Sequence, residues 1–213
     1  MFITLEGPEG SGKTSVILKL AERLRQEGFE VLTTREPGGT DIGDEVRAVI
    51  MDLKHKDRMS TRSEILLFQA SRAQLVEEVI HPALNEGKVV LCDRYADSTL
   101  AYQGYGHEID LHVLRQIIEF ATGGLQPDLT LFLDISVEEG LQRRGDDGGW
   151  NRMDDYEQAF HQRVYKGYME LIREEPQRWE IVLATQSPDQ VAAQVEHIVV
   201  NFLKKHKRKI AKS

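Results

Sequence analysis

Gly7-Pro8-Glu9-Gly10-Ser11-Gly12-Lys13-Thr14 is a G-x-x-x-x-G-K-T run that directly follows the short apolar stretch Phe2-Ile3-Thr4-Leu5-Glu6. Glycines at these places let successive backbone N–H groups turn inward as a cage for phosphate oxygens, and a helix beginning after Lys13 adds the positive end of its dipole. Lys13 can then reach β- and γ-phosphates, and the Thr14 hydroxyl is placed to ligand Mg²⁺. Farther along, Asp93 closes the apolar run Lys88 to Cys92. A nucleotide site needs an acid there to hold the water shell of the metal. Arg94 comes next and offers a planar fork for a second phosphate. Phe68 and Arg72 are four residues apart and share a helical face, so that a flat ring and a hydrogen-bonding fork can together hold a base. Arg143, Arg144 and Arg152 flank a Gly/Asp-rich stretch, 145 to 151, which reads as a basic flap able to close over a transferring group and exclude water. The phosphate loop itself has no arginine, so that charge has to come from elsewhere.

The elements that position these groups follow from periodicity. Val16, Ile17, Leu20, Ala21 and Leu24 recur at helical spacing before Gly28. A β-branched strand spans 30–35 and breaks at Glu36-Pro37-Gly38-Gly39-Thr40. Helices are predicted over about 42–53 and 61–84, then a buried strand over 88–92. The stretch 98–106 reads as irregular and polar. A helix over 111–121 ends at Gly123-Gly124, and 129–135 is again a buried strand. The pattern predicts a helix over 137–144, a loop over 145–151, a helix over 154–174, a strand over 181–185 and a last helix opened by Pro188. Strands alternating with helices imply right-handed crossovers and a parallel sheet covered on both faces. Ligands in such sheets bind beyond the carboxyl ends of the strands, where the phosphate loop, Arg35-Glu36, Asp93-Arg94 and the loop at Thr185 all fall.

Composition narrows the class. With 213 residues, 40% of them hydrophobic, the chain can bury one sizeable core and is expected to form one domain over 1–203, with a lid at about 144–152 and a basic tail over 204–213. No apolar run approaches the ~18 residues of a membrane span, and no secretory leader is evident, so a cytoplasmic protein is expected. The one cysteine, Cys92, excludes an internal disulfide and reads as a buried small hydrophobe. A net charge of −8 argues against a protein that coats nucleic acid. Six of the 27 Lys and Arg lie in the last ten residues, so 21 basic residues face 35 acidic ones in the rest, a balance of −14. The tail itself reads as a solvated, fraying helix end.

Taken together, F-I-T-L-E-G-P-E-G-S-G-K-T at 2–14, R-E-P-G-G-T at 35–40, F-Q-A-S-R at 68–72, C-D-R-Y-A-D-S-T-L-A-Y-Q-G-Y at 92–105 and P-D-L-T-L-F-L-D at 127–134 closely resemble the thymidylate kinases, in their bacterial form, from Phe2 to about Leu203. The resemblance implies an α/β fold of the P-loop NTPase, nucleoside monophosphate kinase-like type with a five-stranded parallel sheet between helices. It also implies a homodimer, ATP and dTMP as substrates with Mg²⁺, and phosphorylation of dTMP to dTDP. By the same resemblance Glu9 approaches the deoxyribose 3′-hydroxyl and Phe68 stacks on thymine. Arg72 with the pair Ser98-Thr99 meets the base edge, Arg94 meets the acceptor phosphate, and Tyr102 crowds the 2′ position against a ribose. Gln103, Arg47 and Glu36 are implied as further substrate contacts, and Arg144 and Arg152 match lid arginines. The stretch 145–151 is longer and richer in glycine than usual, which leaves open which lid arginine meets the γ-phosphate. A deoxynucleoside kinase, which would need Glu36 or Asp93 as a base toward a neutral hydroxyl, is the rival among enzymes. A nucleotide-gated switch is the rival outside them, though no N-K-x-D guanine reader is present.

Overall fold

The computed structural model describes residues 1–146, 148 and 150–210. Strand β1 (Phe2–Glu6) is buried along its whole length and gives way at Gly7 to the phosphate loop and helix α1 (Lys13–Gln26). There follow β2 (Val31–Arg35), α2 (Asp41–Met51), a short 3₁₀ turn (Leu53–His55) and α3 (Thr61–Leu75). A π-helical stretch (Val76–Ile80) carries α3 into the short α4 (His81–Asn85), and β3 (Val89–Asp93) comes next. Helix α5 (Ala96–Thr99) runs without a break into a second π-helical stretch (Leu100–Gly106). The chain closes with α6 (Leu111–Thr122), β4 (Leu129–Asp134), α7 (Val137–Asp146), α8 (Gln158–Glu174), β5 (Trp179–Leu183) and α9 (Pro188–Ile210).

All five strands are parallel, in the order β2-β3-β1-β4-β5, as the alternating pattern predicts. Alternation along each strand assigns its side chains to two opposite layers. Ile3 and Leu5 of β1 pack with Val16, Leu20 and Leu24 of α1 and with Val195 and Val199 of α9. On the other face Phe2 packs with Leu75, Val90 and Tyr95, and Phe132 of β4 packs with Tyr102, Phe160 and Tyr168. Thr4 and Glu6 share the face of Phe2 by the same period, and the hydroxyls of Thr4 and Thr130 meet there at 2.9 Å. Cys92 is buried and free, as a small core residue.

Several sequence expectations need correction. The stretch 98–106 is not irregular: it is helical, and Leu100, Ala101, Tyr102, Gln103, Gly104 and Gly106 are buried. Packing against α8 overrides the weak propensity of its glycines; a Cβ on Gly167 of α8 would stand 2.6 Å from the ring of Tyr105, so that bare backbone is what lets the two segments close. The helix expected from 154 begins only at Gln158, because residues 151–155 are spent on side-chain anchors. The 61–84 helix is interrupted by the π-helical stretch, α7 continues two residues past Arg144, and the last strand lies two residues earlier than 181–185. The basic tail continues α9 as far as Ile210; residues 211–213 lie outside the described residues, as do Asp147 and Gly149 of the expected lid.

Candidate functional site

The carboxyl ends of β1, β2 and β3 open onto one cleft of about 310 Å³, lined by Lys13, Thr14, Glu36, Asp93 and Arg94 and, across from them, by Phe68, Tyr102 and Arg144. The phosphate loop forms its floor. Gly7, Gly10 and Gly12 all have positive φ. At Gly10 the reason is also steric, since a Cβ would lie 2.0 Å from the carbonyl oxygen of Gly140 in α7. The loop therefore rests directly on α7, backbone against backbone. Lys13 is buried and donates to the carbonyls of Gly7 (3.1 Å) and Pro8 (2.8 Å) and to Ser11 Oγ (3.0 Å). Burial, then repulsion from Arg94, pulls its ammonium down to about 8 despite the nearby carboxylates.

Thr14 Oγ1 donates to Asp93 Oδ2 at 2.6 Å, bringing the first turn of α1 and the last residue of β3 to one point. Two hard oxygen donors side by side next to a phosphate cage suit Mg²⁺, which keeps most of its waters and takes few protein ligands. No cluster of three or more His, Cys, Asp or Glu side chains suited to a metal occurs among the described residues.

Arg94 has φ 68°, in the left-handed region that a non-glycine residue rarely adopts. This conformation turns its side chain from the strand end back over the phosphate loop. Nη1 donates to Gly7 O (3.0 Å), Tyr168 Oη (3.2 Å) and Ser98 Oγ (3.3 Å), and Nη2 donates to Glu9 Oε1 (2.9 Å). Nε makes no hydrogen bond among the described residues, and the guanidinium stands 5.1 Å from the centre of the Tyr102 ring. Burial opposes the charge of Glu9, but Arg94 and Lys13 outweigh it and hold this carboxyl down at about 2; Tyr102 adds a hydrogen bond of 2.8 Å.

Phe68 and Arg72 both line the cleft from one face of α3, as their spacing predicts. Arg72 is wholly buried. Nε and Nη2 grip Glu36 at 2.6–3.1 Å, Nη2 also donates to Tyr95 O (3.1 Å), and Nη1 donates to Gln69 Oε1 (2.7 Å) and Thr99 Oγ1 (3.0 Å). Burial works against its charge, and Glu36 outweighs it and keeps the guanidinium above its ordinary value. Every N–H of Arg72 thus already has a protein acceptor. Arg47 lines the cleft with Nη1 on Pro37 O (2.8 Å), and Gln103 does so while donating to Glu64 (2.8 Å).

Two placements differ from expectation. Ser98 lines the cleft, but its hydroxyl belongs to the cluster beneath Arg94 and not to the neighbourhood of Thr99 and Arg72. Arg152, expected as a lid arginine, does not line the cleft. It is buried, with Nε on Ile50 O (2.6 Å), Nη1 on Tyr156 Oη (3.0 Å) and Nη2 paired with Glu64 at 2.7 Å. Helical period and charge cannot reveal this, because the partner Glu64 is 88 positions away in sequence and buried in its own right. Arg144 does line the cleft, with Nε on Asp154 Oδ2 at 3.1 Å. The sequence reading also missed Glu6 and Tyr168, which support Arg94 from behind; Glu6 was visible only as the last residue of an apolar strand.

The family model described as Thymidylate kinase matches residues 5–195. A thymidylate kinase of Roseiflexus sp. (strain RS-1) is 51% identical to this chain, covering 95% of each. One of Deinococcus radiodurans is 49% identical, covering 92% of this chain and 94% of the relative. A crystal structure of thymidylate kinase from Ehrlichia chaffeensis matches with TM-score 0.75 at 32% identity, covering 93% of this chain and 98% of that one.

Proposed function

Because the chain belongs to the thymidylate kinase family, we propose that it catalyses ATP-dependent phosphorylation of dTMP to dTDP by in-line transfer of the γ-phosphoryl group. The observation that carries this reading is Arg94: Nη1 is fixed to the cleft wall, Nη2 spends one N–H on Glu9 Oε1, and Nε makes no hydrogen bond among the described residues, so that Nε and the second N–H of Nη2 form the fork that takes the acceptor phosphate. A phosphate monoester has a second pKa near ~6 and is mostly dianionic at neutral pH, so the nucleophile needs no base. What opposes transfer is repulsion between two polyanions. In this reading catalysis is alignment and charge neutralisation by Lys13, Arg94 and Arg144. Phe68 takes the base, Glu9 and Tyr102 the sugar, and Glu36, Arg47, Arg72, Thr99 and Gln103 shape the acceptor side.

The family uses ATP with a divalent metal. We assign Mg²⁺ to Thr14 and Asp93, the latter through water; when bound, the ion neutralises phosphate charge. The segment 144–152 is the lid, with Arg144 as its contribution. A homodimer is supported by apolar side chains left in solvent on neighbouring helices: Val113 and Phe120 of α6, Leu66 of α3, and Ile42 and Val49 of α2, with Phe120 91% exposed. Sedimentation should give twice the chain mass, and Phe120→Glu should shift it toward the monomer. No helix among the described residues is long and apolar enough to cross a membrane, and we place the protein in the cytoplasm, where ATP and dTMP are met.

The test is a coupled assay with ATP against dTMP, dUMP, dCMP and thymidine. The expected outcome is turnover dominated by dTMP; thymidine turned over as fast would replace this reading with the nucleoside kinase.

A further inference from the structure

Glu6 is fully buried at the end of β1, one residue before the phosphate loop, and it does not line the cleft. Its Oε1 accepts the backbone N–H of Tyr95 at 2.8 Å. Its Oε2 accepts two hydroxyls, Ser98 at 2.6 Å and Tyr168 at 2.9 Å. A hydroxyl has a single proton. The two hydroxyl oxygens also lie 2.9 Å from each other; when both protons are directed to Glu6, each presents only lone pairs to Arg94 Nη1, at 3.3 and 3.2 Å. An ionised carboxylate at this place is the group that accepts on every side; an amide would offer N–H to one of the partners and turn a hydroxyl proton toward the guanidinium.

We propose that Glu6 is a positioning residue for the acceptor-side arginine: through Ser98 and Tyr168 it locks Nη1 of Arg94 against the wall, which leaves Nε, and the N–H of Nη2 that Glu9 does not take, for the acceptor. The backbone alone does not do this, because the left-handed turn at residue 94 sets only where the side chain starts. Keeping a carboxylate in so dry a place is costly. Burial, and then Asp97, push Glu6 up to about 7 against the pull of Arg94, Ser98 and Tyr168, so the form that accepts on every side is the major one only above that pH. Stability gives no reason to retain such a group, whereas orientation of a cation does. The proposal rests on Arg94 meeting the acceptor phosphate, as argued above.

The test is a double-mutant cycle on kcat/KM for dTMP with wild type, Glu6→Gln, Arg94→Ala and the double variant, with KM for ATP measured alongside. Glu6→Gln should lower kcat/KM for dTMP about 10- to 100-fold, in the range of a lost charge-assisted contact, while KM for ATP moves less than about twofold. In the Arg94→Ala background the same change should cost less than about threefold, since coupled residues are not additive. If the two losses multiply, or if KM for ATP rises as much as KM for dTMP, Glu6 is not acting through Arg94 and the proposal is overturned. If Arg94→Ala itself leaves dTMP turnover within a few-fold of wild type, it is the assignment of the acceptor arginine that fails. Should Glu6→Gln not fold, Tyr168→Phe removes one of the two relays with the ring kept; a loss of about 3- to 10-fold that vanishes in the Arg94→Ala background supports the proposal, and a loss that persists there overturns it.

Discussion

Thr14 and Asp93 are 79 positions apart in sequence, yet the hydroxyl of one donates to the carboxylate of the other at 2.6 Å, where β1 and β3 lie side by side. The pairing register explains it: Leu5 stands opposite Asp93, so the loop leaving β1 returns its first helical turn to the end of β3. Asp93→Asn keeps an oxygen for Thr14 and removes the charge. The expected outcome is a fall in kcat of about 10²–10³, together with a higher Mg²⁺ concentration for half-maximal rate and little change in thermal midpoint. An Mg²⁺ titration at saturating ATP and dTMP checks it. An unchanged Mg²⁺ requirement would move the metal away from Asp93.

Arg94 can be probed for shape apart from charge. Lysine tolerates the φ of 68° at position 94 no better and no worse than arginine, so Arg94→Lys leaves the backbone cost in place and changes only the head group. A point charge cannot keep the wall contacts and hold two phosphate oxygens at once. Arg94→Ala is expected to cost kcat/KM for dTMP the equivalent of ~2–5 kcal/mol, as for a buried charge partner. Arg94→Lys should restore less than a tenth of wild-type activity, and thymidine should be a poor acceptor for all three proteins. Steady-state kinetics on dTMP and thymidine decide it; near-complete rescue by lysine would mean that only charge matters at this position.

The sheet, the phosphate loop and the cleft rim were legible because their signals are local: an apolar run, a glycine spacing, a polar residue at a strand end. The group behind the rim was not. Glu6 sits on the face of α8 because of a period-two alternation, but the hydroxyl it needs comes from Tyr168, 162 positions later. The same holds for Arg152, whose charge reads as a flap in sequence and is in fact a tie between Ile50, Tyr156 and Glu64. Residues 98–106 looked irregular since glycine and serine favour turns, while the apolar faces of Leu100, Tyr102 and Tyr105 that pin the segment to α8 have no single period to show it.

Glu64 gives the fold a dependence on pH. Burial disfavours its charge, but His107 and Arg152 outweigh burial and hold the carboxyl at about 2 against an ordinary 4.5. A folded value below the unfolded one means that the contribution is complete above about 4.5 and is lost as pH falls toward 2. Its size is on the order of 3 kcal/mol. Unfolding midpoints in urea between pH 6 and 3 should fall more steeply for wild type than for Glu64→Gln. The variant should already be weaker at pH 6, because it leaves Arg152 buried without a counter-charge. Parallel curves would show that the acid sensitivity arises elsewhere.

Gly140 tests how far the phosphate loop depends on the helix beneath it. A Cβ there would stand 2.4 Å from the carbonyl oxygen of Glu9, and the reciprocal Cβ on Gly10 would meet the carbonyl of Gly140. Both clashes are with backbone, which cannot swing aside as the tip of a side chain can, so Gly140→Ala has to part α7 from the loop. Overpacking of this kind costs about 1–3 kcal/mol. The displacement falls on Glu9, which faces Arg94 and Tyr102, and on the cage that holds the phosphates. Gly140→Ala should therefore raise KM for both ATP and dTMP, by roughly two- to tenfold if about half of that cost reaches the site, and lower the thermal midpoint by several degrees. Gln142→Ala is the control on the same helix: its side chain is exposed, and alanine is a helix former at least as good there. Melting curves and kinetics of the two variants side by side check this, and equal behaviour of the two would mean that the loop does not lean on α7.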